Sequence, residues 1–409
     1  MHYNTHTLAN GLRIIHLYSD DDVLYCGYSI NAGTRHESEN EEGMAHFCEH
    51  ATFKGTARRK SMQVTGAIEK VGGDINAFTN KEDTTYYVAI LKEHLSRAID
   101  VLTDMVFHSS YPEDELDKEK EVICDEIESY NDSPAELIYD EFENAIFKNH
   151  PLGHNILGTA DRLRQFVADD VRNFANRYYK PDNTVFFAYG NLNFTHLIKM
   201  LERATADFAP SQPRQLSFAK TTTLMSDSAD IVVDKHTHQA HVMLGNRAYG
   251  VGDKKRMPLY MLNNIIGGPA MNSILSVELR EKRGLVYSVD SSIVSYTDTG
   301  LWCVYLGCDI DDVNLCRRII RRELDKLMHK ALSEKRLNMA KRQIKGQIGI
   351  AFDNRESFAL DMGKVFLHYD KAKDVISLID SIDKIEANDM LEVAREIFMP
   401  DNMTTLTFL

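Results

Sequence analysis

Apolar residues recur along this chain with two different periods. Leu95, Ala98, Ile99, Leu102 and Val106 fall three or four apart, which predicts a helix over 92–107 with one buried face. Pro112 opens a second helix that runs to about Tyr130, and its acidic start at Glu113 suits the positive end of the helix dipole. Leu116, Val122, Ile123 and Ile127 define its buried stripe. Upstream the pattern is that of strands. Leu8 leads into the turn Asn10-Gly11, residues 12–17 and 23–32 are apolar-rich, and Asp20–Asp22 separates them, so 6–33 reads as a β-hairpin. A helix over 61–71 ends at the double glycine Gly72-Gly73, after which 74–79 and 83–91 read as paired strands. The first of these is either an exposed edge that can accept an extended peptide or an internal strand.

The stretch 207–230 is polar and carries Pro210 and Pro213 among serines and threonines, the composition of a linker. It divides the chain into an N-terminal domain, 1–210, a linker, 211–230, and a C-terminal domain, 231–409. After it, 231–233 and 241–245 read as strands and 258–266 as a helix, an order that echoes the first half and suggests two related domains. From Ser333 through Ile397 the chain is mostly amphipathic helix, read as core and interface packing.

Composition narrows the function. A chain of 409 residues, 43% hydrophobic and 26% charged, has the balance of a soluble globular protein of two or three domains. A net charge of −14 argues against nucleic acid or an anionic membrane as partner. No run approaches 18 consecutive apolar residues, so no membrane span is expected, and residues 1–6 show no secretory signal. The six cysteines contain no C-x-x-C pair, which points to a reducing compartment, with the cytoplasm as the expected location.

The candidate chemistry lies in His46-Phe47-Cys48-Glu49-His50, within a helix-forming run opened by Gly43 and closed by Gly55. Residues four apart stack on a helix, so His46 and His50 share a face at the spacing two imidazoles need to bind one zinc ion. Glu49 lies on the same side and can reach a water at the metal without entering the ligand set. This is the inverted zincin pattern, H-x-x-E-H. Cys48 points the other way and reads as packing. Further along, Glu119 and Glu126 are seven apart and share a helix face, which either points at the histidines or solvates the surface. His236, His238 and His241 lack an acidic or cysteine partner nearby, and His150 and His154 flank Pro151-Leu152-Gly153 in a loop with a structural role.

The blocks Gly43–Thr56, Gly72–Thr79 and Glu119–Pro134, with Pro151-Leu152-Gly153 and Gly158-Thr159, resemble the pitrilysin/insulinase-type inverzincins, especially the mitochondrial processing peptidase branch. The resemblance covers nearly the whole chain and implies an α+β protein of two related domains, each a mainly antiparallel sheet packed with helices. It implies His46, His50 and Glu126 as ligands of one Zn²⁺ per chain, Glu49 as general base and Glu119 as a supporting carboxylate. Leu279–Val289 resembles the family segment that supplies an arginine and a tyrosine to substrate, here Arg280 and Tyr287. Held against these, Arg280 can also be a helix-end surface charge and Tyr287 a strand core residue. Asn76 and Ala77 fall on the strand expected to hold the peptide. Where the family often has Ser-Arg-Leu, this chain has Ser273-Ile274-Leu275, which puts a local contact in doubt but not the zinc chemistry. The activity implied is a zinc-dependent endopeptidase on extended or unfolded peptides. The single zinc motif in a chain of two domains implies a homodimer, or a heterodimer with a related subunit, in which Arg280 and Tyr287 face the other subunit's zinc. A non-catalytic peptide-binding subunit is the competing reading.

Overall fold

Strands β1 (Tyr3–Thr7), β2 (Arg13–Leu17), β3 (Val23–Ile30), β4 (Asp74–Thr79), β5 (Thr84–Leu91) and β6 (Thr184–Tyr189) form one sheet in the order β1-β2-β6-β3-β5-β4. The computed structural model describes residues 2–214, 228–372 and 374–409. Across the Asn10-Gly11 turn β1 pairs with β2, whereas the strands on either side of Asp20–Asp22, β2 and β3, are not neighbours, so the expected hairpin over 6–33 is replaced by a different pairing. Strand β6 lies between β2 and β3, parallel to the first and antiparallel to the second. The physical reason is burial. Every residue of β2 is buried, as are Val185, Phe186, Phe187 and Ala188 of β6, and strands covered on both faces occupy the centre of a sheet.

One face of this sheet packs Tyr28, Tyr86 and Phe186 against helices α1 (Met44–Thr52), α2 (Ser61–Glu69) and α3 (Leu95–His108), through Phe47, Val64 and Leu102 among others. The opposite face packs Ile15, Val185 and Phe187 against Phe358, Met362 and Phe366 of the helix Arg355–Tyr369. Gly363 permits this approach, because a Cβ there would lie 2.6 Å from the Phe187 ring. Buried Arg13 donates to the carbonyls of Phe366 (3.1 Å) and Leu367 (3.0 Å), tying β2 to the same helix. Helix α4 (Glu113–Asn131) runs as expected, but Val122 is 53% exposed. Its buried stripe is Leu116, Glu119, Ile123, Cys124 and Ile127, a helical repeat that puts Val122 on the flank and a carboxylate on the inner face.

The second sheet contains β7 (Asp230–Val233), β8 (Ala240–Ala248), β9 (Val286–Ser295), β10 (Gly300–Cys308) and β11 (Thr404–Phe408), in the order β7-β11-β8-β10-β9. It repeats the first strand for strand once β1 is set aside. The parallel pair β2–β6 corresponds to β7–β11, and every other pair is antiparallel. Helix α5 (Pro134–Ile146) covers one face, with Leu137, Phe142 and Ile146 among Met243, Leu301 and Phe408. The fold is thus α+β with two related mixed, mainly antiparallel sheets.

The compact units are discontinuous in sequence. One comprises Met1–Glu128, His154–Leu216 and Ala351–Asp374; the other comprises Ser129–Gly153, Ser217–Ile350 and Val375–Leu409. The sequence division at 210 and 230 does not describe this interleaving, since each unit includes a helical segment from the other half of the chain. Of the expected linker 211–230, residues 215–227 lie outside the described residues. No helix among the described residues is long and apolar enough to cross a membrane.

Candidate metal centre

Helix α1 begins at Gly43, whose φ of +91° and lack of a side chain leave the usual capping role empty. A side chain there has no room, since a Cβ would lie 2.9 Å from the Leu157 carbonyl oxygen. Glu37 supplies the cap instead: its Oε2 accepts from the Gly43 amide at 3.0 Å and its Oε1 from the Ala45 amide at 2.7 Å. The carboxylate is fully buried and also pairs with His154 Nε2 at 2.9 Å. Burial pushes its carboxyl pKa up, against the pull of His154 and the two amides. His154 therefore has the structural role expected of it, and His150 accepts from the Leu152 amide at 3.2 Å.

The helix brings the His46 and His50 rings to 4.6 Å between centroids. Glu126, from α4, places Oε2 3.9 Å from His46 Nε2 and 3.8 Å from His50 Nε2. Among the described residues these three are the only group of three or more His, Cys, Asp or Glu side chains that can share a metal ion. The separations are too long for hydrogen bonds. Two ligands about 2.1 Å from a tetrahedral ion lie roughly 3.4 Å apart, and the three donor atoms here all lie within 4.8 Å of one another, so modest side-chain movement lets them hold zinc.

The charges around the three donors also suit a cation. Burial, then the neighbouring His50, lowers the His46 pKa to about 3, which keeps its imidazole neutral. His50 Nδ1 lies 2.8 Å from Glu119 Oε1, and Lys54 Nζ pairs with the other oxygen of that carboxylate. A proton held on Nδ1 by Glu119 leaves Nε2 as a lone-pair donor facing Glu126. Burial alone would lower the His50 pKa, but Glu119, Glu49 and Glu126 outweigh it and raise it. The three carboxylates thus favour positive charge where the ion would sit. Burial would raise the Glu119 pKa, yet His50 and Lys54 hold it below the usual value.

Glu49 is buried and stays outside the ligand group. Its Oε2 accepts from Thr79 Oγ1 at 2.5 Å. Burial raises its pKa, against Thr79 and His50, which lower it. Cys48 is buried on the other side of α1, as expected.

Asn76 and Ala77 lie on β4, which among the described residues pairs only with β5 and so forms an edge of its sheet. The Asn76 side chain turns back on this edge, its Oδ1 accepting from the Ala77 amide at 2.8 Å. Arg280 lies in the last turn of a short π-helical stretch, Ser276–Glu281, with its Nε 3.0 Å from Glu281 Oε1. Tyr287, on the edge strand β9, is 61% exposed and donates to Asp309 Oδ1 at 2.9 Å. It is therefore not a core residue of that strand. Both residues belong to the second unit. The histidines after β7 form no cluster: His236 has a φ of +54° outside any strand and pairs with Asp234, and His241 meets Tyr305. Sequence reasoning missed Glu37, Lys54 and the side chain of Thr79. Only Thr79 carries a local signal, since strand alternation sets it on the face of Ile75 and Ala77.

The description "Insulinase (Peptidase family M16)" matches residues 13–160, and "Peptidase M16 inactive domain" matches residues 165–344. A Bacillus subtilis protein named as the uncharacterized zinc protease YmxG is 34% identical over 401 residues, covering 97% of this chain and 96% of its own. A Streptomyces coelicolor protein, also named an uncharacterized zinc protease, is 32% identical and covers 96% of this chain and 86% of its own. The fold matches a crystal structure of a protease from Helicobacter pylori with a TM-score of 0.90 at 22% identity, covering 100% and 99% of the two chains. With the H-x-x-E-H helix and the distant glutamate brought to one point, and with these relatives spanning its length, the chain belongs to the insulinase family of peptidases, M16.

Proposed function

We propose that the protein is a zinc-dependent endopeptidase that cuts peptides bound in extended form. The observation that carries this reading is the placement of Glu49, a buried carboxylate beside a three-donor set yet outside it. His46, His50 and Glu126 would hold the ion. An ion so held would supply Lewis acidity, lowering the pKa of a nearby water and polarising a carbonyl oxygen. Glu49 takes a proton from the attacking water and returns it to the departing amine. Glu119 fixes the tautomer and orientation of His50. The free edge of β4 suits a substrate that binds as an added strand, with the Asn76 side chain swinging off the Ala77 amide to admit it.

Arg280 and Tyr287 act on the substrate carbonyl from a second copy of the chain, in a homodimer or in a pair with a related subunit. Their exposure and their donor groups support this role. The six cysteines, all buried and unpaired, support a reducing location such as the cytoplasm.

Replacing the base tests the proposal. Glu49→Gln should keep zinc bound and abolish cleavage of an unstructured peptide. Cleavage at the wild-type rate would overturn the assignment. So would a zinc-loaded wild type that cuts no peptide, alone or with a related subunit, a result that favours a non-catalytic binding subunit.

A further inference from the structure

We propose that Thr79 is the positioning residue for Glu49, reserving one oxygen of that carboxylate so that the other, Oε1, carries the reacting proton. The inference rests on the endopeptidase reading and goes beyond it in assigning the two oxygens different work.

Thr79 is the last residue of β4, and its hydroxyl reaches Glu49 Oε2 at 2.5 Å. The direction of that bond follows from the neighbouring hydroxyl. Thr84 Oγ1 donates its only proton to the Ala32 carbonyl at 2.9 Å, so its 3.3 Å contact with Thr79 Oγ1 cannot bring Thr79 a proton. Thr79 is then free to donate to Glu49, and the 2.5 Å separation lies within the range of a hydroxyl donating to a carboxylate oxygen. With Oε2 occupied by a donor, a proton arriving at Glu49 has Oε1 as its acceptor.

The steps balance on that assignment. As the water oxygen bonds to the scissile carbonyl carbon, one water proton passes to Glu49 Oε1. As the carbon–nitrogen bond breaks, the same proton passes from Oε1 to the leaving nitrogen, and Glu49 returns to its ionised form. The Thr79 proton stays on Thr79 throughout. Thr79 also connects the base to the edge strand proposed to bind substrate, so one short element aligns both.

The experiment measures steady-state cleavage of an unstructured peptide, together with zinc affinity by chelator competition. The variants are Thr79→Val, which keeps the β-branched shape, Thr79→Ser, which keeps the hydroxyl, and Thr79→Ala as a second donor-free variant should Val disturb folding. Loss of the donor should lower kcat about 10- to 100-fold with KM and zinc affinity within about twofold of wild type, and Ser should restore most of kcat. Wild-type kcat in both donor-free variants overturns the assignment while leaving the endopeptidase reading intact. Loss of zinc in those variants likewise overturns it, by showing a structural role. A wild type that cuts no peptide overturns both.

Discussion

His50 Nδ1 lies 2.8 Å from Glu119 Oε1, so the second histidine of the motif is oriented by a carboxylate from a different helix. Lys54 grips the other oxygen of that carboxylate. Removing such an orienting partner typically weakens metal binding 10- to 100-fold. Glu119→Ala should therefore lower zinc affinity by about that factor in a chelator competition. Lys54→Met should have a smaller effect in the same direction, because His50 keeps its direct partner.

Glu126 stands differently, since it belongs to the donor set itself. Glu126→Gln removes its charge and should lower zinc affinity more than Glu119→Ala does. A ligand that binds only the folded state raises the melting temperature. Added zinc should thus stabilise the wild type and leave the Glu126→Gln melting curve nearly unmoved.

Glu37 makes a folding prediction independent of metal. Its buried carboxylate satisfies the Gly43 and Ala45 amides and pairs with His154. Glu37→Ala strands these groups, at a cost of about 2–3 kcal/mol. Urea unfolding of the metal-free protein should show that loss, with Glu37→Gln intermediate because its amide oxygen still accepts.

Acid should weaken the fold in two stages. Burial, with Arg214 nearby, lowers the His36 pKa from 6.5 to about 4. Between those values the unfolded chain binds a proton that the folded one refuses, so stability falls with pH by up to about 1.4 kcal/mol per unit. Asp83 is next. Burial would raise its pKa, but Lys364, His368 and Asn80 together hold it well below its ordinary 3.8, so its contribution is lost only below that point. Unfolding measured with a chelator present should show the first decline between pH 6.5 and 4. His36→Gln should make it shallower, with His46, also lowered by burial, carrying part of the rest.

The motif helix, the α4 helix and the β4–β5 pair were legible in the sequence because each is specified by neighbours in the chain. Spacing alone put His46 and His50 on one face, and Glu119 with Glu126 on another. What escaped depends on distant partners. Residues 184–189 carry Val185, Phe186, Phe187 and Ala188 in an unbroken apolar run, which shows neither alternation nor a helical period. Their place between β2 and β3 comes from covering both faces. Val122 looked buried because it is apolar, whereas the helical repeat set Glu119 inward. The capping by Glu37 and the Lys54–Glu119 pair arise only where separate elements meet.

The interleaving of the units bears on how the polypeptide matures. By Glu126 the ribosome has already delivered the residues proposed to hold the ion, yet β2 and β3 still lack the strand that lies between them. One sheet face stays bare until the helix Arg355–Tyr369 emerges, and only then does the Arg13 guanidinium find its two carbonyls. A fragment stopping at residue 210 would carry the whole motif on an unfinished, aggregation-prone scaffold. The sheet that carries the donor set is thus completed only near the end of synthesis.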